Sequence, residues 1–85
     1  MDVILMTKVI FYTKEVCSLC EEAYALLNMF KQDFAFEIEE RDIYTNDKWL
    51  EKYQLRIPVV DVNEKQIDCE EMSYDALYNI LKENT

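Results

Sequence analysis

Val9-Ile10-Phe11-Tyr12-Thr13-Lys14-Glu15-Val16-Cys17-Ser18-Leu19-Cys20 is the stretch that decides how this chain folds. An apolar run rich in β-branched and aromatic residues leads into two thiols, and a helical pattern begins directly behind them. A continuous apolar run of this kind suits a central strand covered on both faces. A cysteine at a helix start gains thiolate stability from the unsatisfied N–H groups and the helix dipole. Two thiols two residues apart at that place can close and open a disulfide without disturbing the rest of the chain. Strand, Cys-x-x-Cys and helix together are a recipe for a reversible dithiol.

Outward from this segment, the pattern predicts a strand over Thr7–Thr13 and a helix over Ser18–Lys31. The apolar positions Cys20, Ala23, Tyr24, Leu27 and Phe30 recur at helical spacing. That spacing puts Cys20 on the buried stripe and Cys17 at the solvent-facing tip. Phe34, Phe36 and Ile38 alternate with Ala35, Glu37 and Glu39, as in a half-exposed strand. The acidic run Glu37–Asp42 reads as a solvated strand edge and loop. Strands joined by a helix of this length should be parallel. A short helix over Asn46–Tyr53 is capped by Thr45 or Asn46 and buried through Trp49, Leu50 and Tyr53. Val59–Val62 and Gln66–Cys69 read as a hairpin turning at Asn63. The last helix runs from Ser73 to about Lys82, with Met72 and Leu77 at the hydrophobic-staple positions. The element order is βαβαββα.

Composition narrows the function classes. The chain has 85 residues, enough for one domain, and its 51% hydrophobic and 13% aromatic content excludes general disorder. Apolar runs are too short to span a bilayer. Val3-Ile4-Leu5 is too short for a signal-peptide core and Asp2 replaces a basic start, so a cytoplasmic protein is expected. A net charge of −9, from 18 acidic and 9 basic residues, argues against nucleic acid and anionic membranes as partners. Three cysteines do not make a disulfide framework. There is no histidine, so the commonest metal ligand and general base are both missing. There is no glycine either, which leaves Asn28, Asp33, Asn46 and Asn63 as the residues expected to take positive φ.

Phe11-Tyr12-Thr13-Lys14-Glu15-Val16-Cys17-Ser18-Leu19-Cys20 resembles the active-site segment of glutaredoxins. Arg56-Ile57-Pro58-Val59-Val60 resembles their loop and strand with a cis-proline. The likeness runs over essentially the whole chain and is nearest to small bacterial glutaredoxin-like proteins with a Cys-x-Leu-Cys motif. It implies an α/β, thioredoxin-like fold: a four-stranded mixed sheet flanked by three helices, one domain over residues 1–85. It implies a thiol–disulfide oxidoreductase. Cys17 is expected to attack a substrate disulfide, helped by Lys14 and opposed by Glu15, Glu21 and Glu22. Cys20 is expected to resolve the mixed disulfide. The resemblance assigns Lys14 to a glutathione carboxylate and places Arg56 near Cys17. It implies that Ile57, before a cis Pro58, offers its backbone N–H and C=O to an extended substrate. Glu70 and Glu71 would stand in for the acidic residues that hold the amino end of glutathione.

The departures matter as well. Leu19 stands where glutaredoxins carry an aromatic or small residue, and Arg56-Ile57 where they carry Thr-Val. Ile67-Asp68-Cys69-Glu70-Glu71 lacks their Gly-Gly, so weak glutathione binding is expected. Disulfide-containing proteins and small thiols are the expected partners of a monomer, with glutathione or a thioredoxin-reductase-like protein as reductant. No resident cofactor or metal is expected, and glutathione enters only as a co-substrate. Cys69 reads as a packing residue. The alternative class is a non-catalytic thioredoxin-fold module holding a metal or iron–sulfur cluster through Cys17 and a partner thiol. The ligand count fits that alternative poorly.

Overall fold

The computed structural model describes residues 7–85, so Asp2 and Val3-Ile4-Leu5 lie outside the described residues. Strands β1 (Thr7–Thr13), β2 (Phe36–Asp42), β3 (Val59–Val62) and β4 (Lys65–Ile67) alternate with helices α1 (Ser18–Met29), α2 (Asp47–Tyr53) and α3 (Tyr74–Asn84). They form one four-stranded sheet in the order β2-β1-β3-β4. β1 pairs parallel with β2, from Thr7 opposite Phe36 to Thr13 opposite Asp42. β3 is antiparallel to both β1 and β4. The element order is the βαβαββα that the strand and helix patterns predict, and the four-stranded mixed sheet is the one the family resemblance implies.

Side-chain alternation divides β1 and β3 between two cores. Val9 and Phe11 of β1 and Val60 and Val62 of β3 pack with Cys20, Ala23 and Leu27 of α1 and Leu77, Ile80 and Leu81 of α3. Tyr12 and Val59 point the other way and pack with Ile43 and with Tyr53 of α2, with Ile10, Trp49 and Leu50 at the margin. The central strand is therefore covered on both faces, which is why its apolar run is unbroken.

Local chemistry sets the element ends. Asn46 caps α2, its side-chain oxygen accepting the amides of Lys48 at 2.9 Å and Trp49 at 3.2 Å. Ser73 caps α3 by accepting the Ala76 amide at 3.0 Å, and Met72 packs on the cluster holding Leu77, as in a hydrophobic staple. Asn63 and Glu64, at φ 52° and 69°, make the two-residue β3–β4 turn.

Several boundaries depart from the sequence-based expectation. Regular α1 ends at Met29 and tightens into a 3-10 turn over Phe30–Gln32. Phe34 precedes β2, packing its ring against Phe30 and Tyr78. β2 continues as strand through the acidic run to Asp42, because β1 pairs along its whole length. β4 begins at Lys65 and stops at Ile67, since the Asp68 carboxylate turns the chain by accepting the Glu70 amide at 3.0 Å. Asn28, Asp33 and Asn46 do not take positive φ; among the described residues only Asn63 and Glu64 do.

Candidate functional site

Cys17 is the N-cap of α1, with extended backbone at φ −157° and ψ 100°. Its Sγ accepts the Cys20 amide at 3.1 Å, and its carbonyl accepts the Glu21 amide at 3.1 Å, opening the helix. The sulfur thus occupies the place that a Ser or Asp oxygen usually takes at a helix start. Cys17 and Cys20 are joined as a disulfide, with Cα atoms 5.2 Å apart. Cys20 is 3% exposed, against the core; Cys17 is half-buried. Apolar side chains stand out beside the cysteines in sequence: Val16 is 87% exposed and Leu19 60%.

Two cavities flank the dithiol. The larger, about 590 Å³, is lined by both cysteines and by Lys14, Glu15, Glu21, Tyr24, Glu40 and Asp42, among others. The smaller, about 200 Å³, is walled by Leu19, Glu22, Leu26, Pro58, Cys69 and Met72 with Ala23. The Ile57–Pro58 bond is cis. Pro58 is buried and Ile57 half-buried, the latter touching the margins of both cores.

Of the site residues expected from sequence, the structure brings Lys14, Cys17 and Cys20 to one cavity and Pro58 to its neighbour. Others are engaged elsewhere. The Ile57 amide donates to the Tyr53 carbonyl at 3.1 Å. That corrects the expectation of a free N–H: the chain leaving α2 is wound tightly, and this turn consumes the donor. The Arg56 guanidinium meets the Asp68 carboxylate at 3.3 Å and lies 5.7 Å from the Tyr53 ring centre. Arg56 lines neither dithiol cavity. Glu70 and Glu71 are exposed on the turn after β4, where the Glu71 carboxylate accepts the Asp68 amide at 3.2 Å; neither lines the groove beside Pro58. Cys69 is a half-buried free thiol in that groove. Among the described residues no group of three or more Cys, Asp or Glu is arranged to hold a metal ion.

Glu40 and Asp42 are the cavity residues that sequence reasoning missed. The signal was present in the pairing: parallel β1 and β2 end together, so Asp42 sits opposite Thr13 at the carboxyl ends of the strands, where α/β folds place their sites. A second missed cluster lies on the α2 face. Tyr12 and Tyr53 stack with ring centres 4.1 Å apart. Arg41 donates to the Tyr12 hydroxyl at 3.1 Å and lies over the Trp49 ring. Burial, then the neighbouring Tyr53, hold the Tyr12 hydroxyl above its ordinary titration range.

This architecture has recognisable kin. The profile of the glutaredoxin-like domain (DUF836) matches residues 8–82. The chain belongs to the glutaredoxin-like domain family. A Nitrosomonas europaea protein solved by NMR in solution is 30% identical, covering 95% of this chain and 98% of its own, with a TM-score of 0.74. A malarial protein superposes with a TM-score of 0.69 at 12% identity, over 94% of this chain and 98% of its own. A thioredoxin variant from Halobacterium salinarum gives 0.68 at 14% identity, over 93% of this chain and 74% of its own. These last two likenesses show the thioredoxin fold alone. This glutaredoxin-like chain carries its Cys-x-x-Cys at the start of α1, directly after β1. No helix among the described residues is long and apolar enough to cross a membrane.

Proposed function

We propose that this glutaredoxin-like protein is a dithiol thiol–disulfide oxidoreductase acting through Cys17 and Cys20. The observation that carries the reading is the cap itself: the Cys17 sulfur receives an amide hydrogen at the N-terminus of α1. In the reduced protein the same donor and the helix dipole stabilise negative charge on that sulfur. The thiolate attacks a substrate disulfide in line, forms a Cys17–substrate bond and expels one substrate thiolate, which takes up a proton. Cys20, deprotonated as it reacts, attacks the Cys17 sulfur, closes the Cys17–Cys20 bond and expels the second substrate thiolate. The substrate disulfide gains two electrons and the protein dithiol loses two. A thiol reductant, either glutathione or a thioredoxin-reductase-like protein, reopens the disulfide for the next turn.

The deeper burial of Cys20 supports a division of labour in which Cys17 meets the incoming disulfide first. Lys14 adds a positive charge on the cavity wall shared with Cys17. The test uses an uncharged disulfide, bis(2-hydroxyethyl) disulfide, and reduced protein under anaerobic conditions. One equivalent of protein should release two equivalents of mercaptoethanol while forming the Cys17–Cys20 bond. Failure to consume this disulfide at neutral pH would remove the reading.

A further inference from the structure

Cys17 opens on the larger cavity, on the β2 side of the dithiol, and not on the groove beside Pro58. The walls of that cavity come from the end of β1, the first turns of α1 and the end of β2. They carry the carboxylates of Glu15, Glu21, Glu40 and Asp42 against the single ammonium of Lys14. Among the described residues these carboxylates are in no ion pair; the salt bridges engage Glu39 and Asp68 instead. Asp42 does use one oxygen, accepting the Tyr44 amide at 2.9 Å. Tyr24 adds an aromatic face, its ring held 5.6 Å from that of Phe11. A neighbouring hollow shares Lys14, Glu15 and Asp42 and adds exposed Val16 and Tyr44.

We propose that this cavity selects protein disulfides flanked by lysine or arginine, binding the cationic flank between α1 and β2 while Cys17 exchanges with the sulfur. The inference rests on the dithiol reading above and names its substrate class. The physical argument is one of sign and place. Four carboxylates against one ammonium beside a nucleophile focus a negative potential on the approach path, in a chain whose net charge is −9. A cationic flank is drawn in and an anionic one is repelled. Tyr24 gives a guanidinium or ammonium a ring face to settle on. Exposed Val16 and Tyr44 of the neighbouring hollow supply an apolar contact for a polypeptide that a small anionic thiol does not use.

Two measurements test this. The first is an NMR titration of the oxidised protein with two peptides alike except that S-methylcysteine is flanked by lysines in one and glutamates in the other. The lysine peptide should shift the amides of Thr13–Glu15 and Glu40–Asp42; the glutamate peptide should leave them in place. Shifts confined to Leu19, Cys69 and Met72, or equal shifts with both peptides, would overturn the proposal. This titration needs no redox activity, so it separates failure of the cavity assignment from failure of the dithiol reading. The second compares kcat/KM for the corresponding peptide disulfides. The lysine form should react about tenfold faster at low salt, the low end of what a focused field does to association. The double variant E15Q/E40Q should shrink that ratio at least threefold, and molar salt should do the same by screening. A ratio near unity in the parent protein, with the neutral disulfide still consumed, would sink the substrate class and leave the oxidoreductase standing.

Discussion

The backbone amide of Cys20 points at the sulfur of Cys17 from 3.1 Å. One cysteine thereby supplies the cap of the helix and the other supplies the cap's donor. The pair is bound together by the backbone whether or not the sulfurs are. This geometry predicts an asymmetry between the thiols. Cys17→Ser should abolish disulfide exchange. Cys20→Ser should keep the attack and lose the resolution, so that a model disulfide leaves a stable adduct on Cys17. Intact-mass and peptide mass spectrometry read both outcomes. An adduct found on Cys20 of the parent protein, with Cys17 unmodified, would reverse the assignment.

The cap of α3 offers a purely structural prediction. The Ser73 side chain accepts the Ala76 amide at 3.0 Å, and α3 then buries Leu77, Ile80 and Leu81 in the main core. Ser73→Ala leaves that amide without its protein partner, at a cost of about 1 kcal/mol. For a domain of this size that lowers the melting temperature by about 4–8 °C. Thermal unfolding by circular dichroism checks it. Asparagine at the same position should restore most of the loss, since it caps equally well.

The stacked tyrosines should titrate apart. Burial first, then Tyr53, hold the Tyr12 hydroxyl above its ordinary value of 10.0, against the pull of Arg41. Burial also pushes Tyr53 up, but the Gln66 amide, the Tyr12 hydroxyl and Lys52 together bring it below 10.0. Linkage gives the two opposite signs. The contribution of Tyr12 to stability is complete below pH 10.0 and is lost as pH rises through its folded value. The contribution of Tyr53 is present above pH 10.0 and is lost as pH falls through its folded value. Tyr53→Phe should therefore make stability fall more steeply as the solution is made alkaline around pH 10.0, and Tyr12→Phe should make it fall less. Urea midpoints across that range measure the slopes, and phenolate absorbance of the two variants shows which step has gone.

Much of this is legible in the amino-acid sequence. The unbroken apolar run of β1 announced a strand buried on both faces, and the Cys17, Asn46 and Ser73 starts of the helices follow from capping chemistry. The rest failed where a long-range partner decides the outcome. The extent of β2 could not be read from Glu37-Ile38-Glu39-Glu40-Arg41-Asp42, because parallel pairing with β1 holds the acidic stretch in the sheet. The early end of β4 depends on Asp68 turning the chain and meeting Arg56. Positive φ at Glu64 follows from the two-residue turn and not from its own preference. The Ile57 amide looked free only because the tight exit from α2 has no sequence signature.

The relation of Arg56 to Asp68 bears directly on small thiols. The groove beside Pro58 has a single charged wall residue, Glu22, and glutathione is a net anion. Arg56, the cation that the family likeness would bring to that ligand, is held by Asp68 at 3.3 Å. Lys14 stands on the other cavity. No glycine is present after β4 to let the ligand backbone come close. S-Methylglutathione, which cannot exchange with Cys17, should thus bind weakly to the Cys20→Ser variant in calorimetric titration. Two further substitutions decide whether charge is the cause. Glu22→Gln removes a repulsion and Asp68→Asn releases the guanidinium; each should tighten binding by about two- to fivefold, as expected for exposed charge pairs. The gains should fade as salt is added. Tight binding before either substitution, unmoved by both, would mean that the groove recognises glutathione through backbone and shape, and that the charges on its walls are incidental.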